Sequence, residues 1–140
     1  MPLDAGAPAG LPLAVEDGLL AVCRLPAGAP LPEWAGRAHR FLTISRTPHE
    51  LSVTADAEVV PAEARCERGY RALRVEGALP LDLVGVLASI SAPLARAGIN
   101  IFAISTYDTD YVLVKAGDLA AAVAALEQAG HRVAGFDPGE

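Results

Sequence analysis

Aromatic residues are scarce in this 140-residue chain, at 5%, with one Trp, three Tyr and three Phe. Any core must therefore be assembled from Leu, Val, Ile and Ala. Cysteine is scarcer still, with two residues, Cys23 and Cys66, far apart in sequence and outside any CxxC spacing. Cys23 ends the apolar run Leu19-Leu20-Ala21-Val22-Cys23 and reads as a small buried hydrophobe. That usage argues against a secreted disulfide framework and sets a reducing cytoplasm as the expected location. Positive charge is outnumbered, 11 Lys and Arg against 17 Asp and Glu, for a net −6. Such a balance disfavours a face that tracks nucleic-acid phosphates or anionic lipid. Long hydrophobic runs are missing too. The uncharged stretch from Leu83 to Ala95 falls short of the roughly 20 residues needed to cross a bilayer. The N-terminal residues 1–17 lack a basic region, carry Asp4 and are rich in Pro, Gly and Ala. They read as a flexible lead-in rather than a signal peptide.

What is present is globular in composition, 52% hydrophobic and 20% charged. Tyr70 to Glu76 alternates as a strand does. Asp82 is a candidate N-cap for a helix whose apolar positions 83, 86, 87, 90, 94 and 97 fall on one face. Pro93 lies inside that helix, where it removes a backbone hydrogen bond and is expected to bend the axis, and Gly98 ends it. Ile99–Thr106 and Tyr111–Lys115 are expected strands around a turn at 107–110. Asp118 opens a second helix ending at Gly130, and His131–Phe136 closes as a strand. The order β-α-β-β-α-β with right-handed crossovers predicts a ferredoxin-like sandwich.

The first half echoes the second at an offset of sixty residues. Ile44-Ser45 falls on Ile104-Ser105, Glu50 on Asp110, and Leu51-Ser52-Val53 on Tyr111-Val112-Leu113. Its helix, opening at Pro32-Glu33-Trp34, is short. The expected fold class is α+β, two fused ferredoxin-like units with antiparallel sheets and helices on one face, the first unit shortened. The expected boundaries are 1–17 for the lead-in, 18–68 for the shortened unit and 69–140 for the complete one.

Chemistry concentrates in STYDTDYVLV, residues 105–114. Asp108 and Asp110 admit three readings: a metal-binding DxD, a hairpin turn, or the lip of a small-molecule pocket. No third ligand stands nearby in sequence, and His39, His49 and His131 are scattered as surface or edge residues, so a metal has little support. Aspartates suit turns because they bond their own backbone. The pocket reading needs a second segment, and Asp82-Leu83-Val84-Gly85-Val86 supplies one. Free N–H groups at 84–86 in a helix's first turn could hold a carboxylate, and Gly85 would let it approach, or Gly85 could simply allow close packing.

These residues resemble the ACT domain: Asp82, Gly85 and Leu87 as D-x-x-G-x-L, then Ala97-Gly98-Ile99-Asn100-Ile101 opening the next strand. The stretches APLARAGINIFAISTYDTDYVLV and FLTISRTPHELSV are similar to the tandem ACT repeats of the cytosolic arginine sensors and their small bacterial relatives, over roughly residues 19 to 136. The resemblance implies ACT-type units that bind a free amino acid at an ACT–ACT interface and regulate a protein partner. Ile99, Asn100 and Ile101 would then supply strand contacts. Asp82, Leu83, Val84, Gly85 and Val86 would hold the carboxylate, and Thr106, Tyr107 and Asp110 would form the opposite wall. The sensors carry four such units and this chain two, which implies a homodimer. Where the arginine-binding copy has an acidic residue after the helix-start aspartate, this chain has Leu83, so an uncharged or aliphatic amino acid competes with arginine. With no nucleophile beside a base, no phosphate loop and no acid pair on a helix face, catalysis and cofactors are not expected. An ACT-like dimerisation or interaction adaptor without a ligand is the alternative.

Overall fold

The computed structural model describes residues 10–80 and 82–139. In chain order these form β1 (Pro12–Val15), β2 (Leu20–Leu25), a 3₁₀ turn (Glu33–Arg37), β3 (Leu42–Arg46), β4 (Leu51–Asp56), a second 3₁₀ turn (Ala57–Val59) and β5 (Cys66–Val75). There follow α1 (Val86–Arg96), β6 (Phe102–Ser105), β7 (Asp110–Lys115), a third 3₁₀ turn (Ala116–Asp118), α2 (Leu119–Gln128) and β8 (Arg132–Ala134). The chain divides into two compact units, residues 18–70 and residues 1–17 with 71–140.

In the unit of residues 18–70, the strands lie in the order β3-β4-β2-β5. β2 pairs antiparallel with β4 and with the first half of β5, and β3 pairs antiparallel with β4. That is the strand order of a ferredoxin-like sandwich, but both helical connections have shrunk to 3₁₀ turns. For the first of them the reason lies in residues 26–38, which hold Pro26, Pro30 and Pro32 together with Gly28 and Gly36. Each proline removes an N–H and pushes the residue before it away from helical angles. The core is accordingly thin: Ala21, Cys23, Leu51, Val53 and Ala55 on the sheet, covered by Ala35, Trp34 and Val60.

The second unit has the same order with one strand added: β6-β7-β5-β1-β8. β1 lies between β5, to which it is antiparallel, and β8, to which it is parallel. The sheet is thus mixed rather than wholly antiparallel. The expected loose lead-in is corrected over residues 12–15; the part of that expectation covering 1–9 lies outside the described residues. Leu13 and Val15 alternate inward, 1% and 7% exposed, and this burial outweighs the Pro12 that weakens the strand signal. Pro12 is tolerated because it is the strand's first residue.

Leu13, Val15, Leu73, Val75, Val112 and Val114 from the sheet meet Val86, Ile90 and Leu94 of α1 and Leu119, Ala122, Val123 and Leu126 of α2 in one cluster. Both helices therefore cover the same sheet face. Helix α1 starts at Val86 and not after Asp82, one turn later than its periodicity predicts. Gly85 is its N-cap, with φ 87° and ψ 7°, a left-handed conformation through which a right-handed helix cannot run.

Candidate functional site

The alternation of β7 explains how a carboxylate reaches the end of α1. Val112 and Val114 face the helices, so Asp110 at the start of the strand faces the same way. Ser105 is its register partner on β6 and donates its hydroxyl to Asp110 Oδ1 at 2.5 Å. The connecting turn is closed by threonines and not by aspartate side chains. Thr106 donates its N–H to the carbonyl of Thr109 at 2.8 Å, and its hydroxyl bonds the same carbonyl at 3.1 Å. Thr109, buried, ties the turn to the sheet by donating its hydroxyl to the carbonyl of Val75 at 2.7 Å. Leu79 donates its N–H to the carbonyl of Asp108 at 2.7 Å, which fixes the loop after β5 against the same turn.

Between this turn and the start of α1 lies a cavity of about 410 Å³. Leu79, Pro80, Leu83, Val86 and Leu87 make an apolar wall; Ser105, Thr106, Tyr107, Asp108 and Asp110 make a polar one. Among the sequence-derived site residues, Leu83, Gly85, Val86, Thr106, Tyr107 and Asp110 come together here. The others do not line it: Asp82 and Val84 point to solvent, Val84 75% exposed. Ile99 is buried in the helix-side core, Asn100 is exposed and Ile101 packs against that core. Because the helix begins at Val86, the unpaired first-turn N–H groups belong to Val86, Leu87 and Ala88, all three at the cavity, in place of the expected 84–86. Leu79, Pro80, Leu87, Ala88, Ser105, Asp108 and Thr109 are lining residues missing from the sequence-derived set. Ser105 could have been found, since it pairs across the hairpin with Asp110.

The histidines divide. His131 is buried at 5% exposure, contrary to its expected place at the surface or an edge. His39 lies beside Asp56 and Glu58, with Nδ1 3.2 Å from Asp56 Oδ2 and Nε2 3.4 Å from Glu58 Oε1. Donor atoms of the three residues lie within 4.8 Å of one another, but their bonding capacity is directed inward. Both imidazole nitrogens face carboxylates, and Asp56 accepts the backbone N–H groups of His39, Arg40 and Phe41 at 2.7, 3.0 and 3.1 Å. Burial alone would raise the Asp56 pKa, but those hydrogen bonds and His39 more than offset it and hold the carboxyl below its usual value. The cluster anchors the loop before β3.

A βαββαβ sheet under two helices, with a cavity where helix start and hairpin meet, defines a ferredoxin-like module. The ACT domain matches residues 65–128, and a distinct N-terminal domain family matches residues 18–63. Protein Atu0741 from Agobacterium tumefaciens is 32% identical, with a TM-score of 0.86 over 94% of this chain and 96% of its own. The chain therefore belongs to the ACT-domain family. Human CASTOR3P is 28% identical over 93 residues, which is 57% of this chain and 57% of that protein, so the match spans little more than half the length of this curated relative. The regulatory subunit of aspartate kinase from Thermus thermophilus shares the fold at 14% identity, with a TM-score of 0.57 over 84% of this chain and 96% of its own. Among the described residues no helix is long and apolar enough to cross a membrane.

Proposed function

We propose that this ACT-domain protein binds a free amino acid in the cavity between α1 and the β6–β7 hairpin, and acts as a cytoplasmic regulatory protein without a reaction of its own. The observation that carries this reading is the cavity's two-sided chemistry. Asp110, with one oxygen engaged by Ser105, keeps its other oxygen for an α-ammonium. The N–H groups of Val86 to Ala88 suit a carboxylate, and Leu79, Leu83 and Leu87 suit an aliphatic side chain. Burying a zwitterion is costly unless both ends are paired, and this cavity offers both partners. Among the described residues no Lys or Arg lines it, and Leu83 is apolar, which favours an uncharged ligand.

Two features support completion of the site by a second copy in a two-fold homodimer. The mouth of the cavity is open, with Tyr107 79% and Leu83 42% exposed and Val84 beside it 75% exposed. Ile99, Asn100 and Ile101 stand away from their own cavity, where the backbone of a partner's strand could close it.

The test is thermal unfolding of the purified chain against each of the twenty amino acids at millimolar concentration. A ligand at a hundredfold excess over its Kd stabilises the folded state by about 2.7 kcal/mol, visible as a rise in Tm. A rise with one or two uncharged amino acids supports the reading. A flat response to all twenty sinks it and leaves an adaptor in its place.

A further inference from the structure

The two cysteines, forty-three positions apart in sequence, are direct register partners: Cys23 on β2 stands opposite Cys66 on β5. Their place in the ladder can be read from their neighbours. The N–H of Arg24 donates to the carbonyl of Arg65 at 2.9 Å, so the 24/65 pair is hydrogen-bonded. Antiparallel pairs alternate, which makes 23/66 a non-hydrogen-bonded pair, the kind with Cα atoms roughly 4.5 Å apart and side chains closest. That separation falls inside the roughly 4.4–6.8 Å range a disulfide spans. Directly opposed residues share a sheet face, and both thiols belong to the same apolar cluster on the core side. Both are reduced here.

We propose that Cys23 and Cys66 form a redox-responsive dithiol that closes to a cross-strand disulfide when it meets a small-molecule disulfide. The two thiols differ in access, and this sets the order of events. Cys66 is half-buried, whereas Cys23 is 2% exposed. Burial first, and the neighbouring Cys66 second, push the Cys23 thiol up to about 12. Cys66 is therefore the entry point. Its thiolate attacks one sulfur of the incoming disulfide, expels a thiolate and leaves a mixed disulfide on Cys66. Cys23 then gives its proton to solvent, and its sulfur attacks Cys66 Sγ and expels the second small thiolate. Two protein thiols are oxidised and one external disulfide is reduced to two thiols. The bond would close a loop holding most of the 18–70 unit, whose core is thin and lacks α-helices. Such a staple restricts the unfolded chain and stabilises that unit.

The experiment treats the full chain with oxidised glutathione under native conditions, then quenches with an alkylating agent and measures intact mass. The expected product is a monomer about 2 Da lighter with no accessible thiol and no adduct, mapping to a Cys23–Cys66 cross-linked peptide, and melting several degrees higher than the reduced chain. Cys23→Ala is expected to halt at a single glutathione adduct on Cys66. In the wild-type chain, two persistent thiols, a stable adduct at Cys66, a disulfide-linked dimer or a lowered Tm on oxidation would each overturn the proposal. The wild-type mapping stands as a test even if Cys23→Ala fails to fold.

Discussion

The Nε2 of His131 donates to the carbonyl of Ser89 at 2.9 Å, and Ser89 is the residue four before Pro93. In a regular helix that carbonyl would accept the N–H of residue 93, which proline lacks. His131 supplies the missing donor. Its tautomer follows from the other nitrogen, where Nδ1 accepts the N–H of Leu11 at 3.1 Å, so the proton resides on Nε2. One neutral imidazole thus satisfies both the gap in α1 and the approach to β1.

Removing His131 should therefore strand two polar groups at once, the buried N–H of Leu11 and the part-buried carbonyl of Ser89. His131→Ala is expected to lower stability by about 2–4 kcal/mol, since each unsatisfied group costs about 1–3. Pro93→Ala restores an N–H for the Ser89 carbonyl. In a double-mutant cycle by urea denaturation, the pair should cost at least about 1 kcal/mol less than the sum of the single variants. Strict additivity would show that the two residues do not share this carbonyl.

Asp110 is placed to act on ligand without holding the fold together. Its carboxylate is half-exposed and accepts a hydrogen bond from Ser105, itself at the surface. Asp110→Ala is expected to leave the ligand-free Tm nearly unchanged while abolishing the ligand-dependent rise. Ser105→Ala, which frees one carboxylate oxygen but keeps the charge, should weaken binding by only about tenfold, as for one lost hydrogen bond. Calorimetric titration with the amino acid that raises Tm measures both. Undiminished binding by Asp110→Ala would remove this carboxylate from the site.

Asp56 carries a pH dependence of definite sign. Its folded pKa lies below the ordinary 3.8, so its contribution is fully present above that value and is lost as pH falls through the lower folded value. Asp56→Asn keeps one acceptor oxygen for three N–H donors and should cost about 1–3 kcal/mol at neutral pH. Its stability should then fall less steeply than that of wild type below pH 3.8. Urea melts at neutral and acidic pH give both slopes, and parallel curves would contradict the assignment.

Much of the second unit could be read from the sequence because its helices bury one face and its strands alternate, as at Val112 and Val114. β1 could not. Four residues beginning with proline, in a Pro- and Gly-rich context, look like a loop, and only the tertiary slot between β5 and β8 makes Leu13 a core residue. The site was half legible for a related reason. Asp110, Thr106 and Tyr107 stand out as polar residues before an apolar run. Leu79 and Pro80 carry no chemical signal and enter the pocket through a single bond to the Asp108 carbonyl. The register of Cys23 with Cys66 is likewise a property of the folded sheet, since nothing in their spacing announces it.

The helix start offers the sharpest contrast between pattern and conformation. Asp82 looks like an N-cap by residue type, yet Gly85 occupies that position, and its carbonyl accepts the first helical bond from Ser89 N–H at 3.0 Å. An L-residue at φ 87° is strained, so Gly85→Ala should cost about 1–2 kcal/mol. Asp82 is exposed, and Asp82→Ala should stay within about 0.5 kcal/mol of wild type. Because Gly85 also sets where the N–H groups of Val86 to Ala88 point, Gly85→Ala should weaken ligand binding as well, while Asp82→Ala leaves it intact. Urea denaturation with ligand titration on both variants decides the matter. The reverse ranking would mean that the helix starts at Asp82 in solution and that the carboxylate-binding N–H groups are those of residues 84–86.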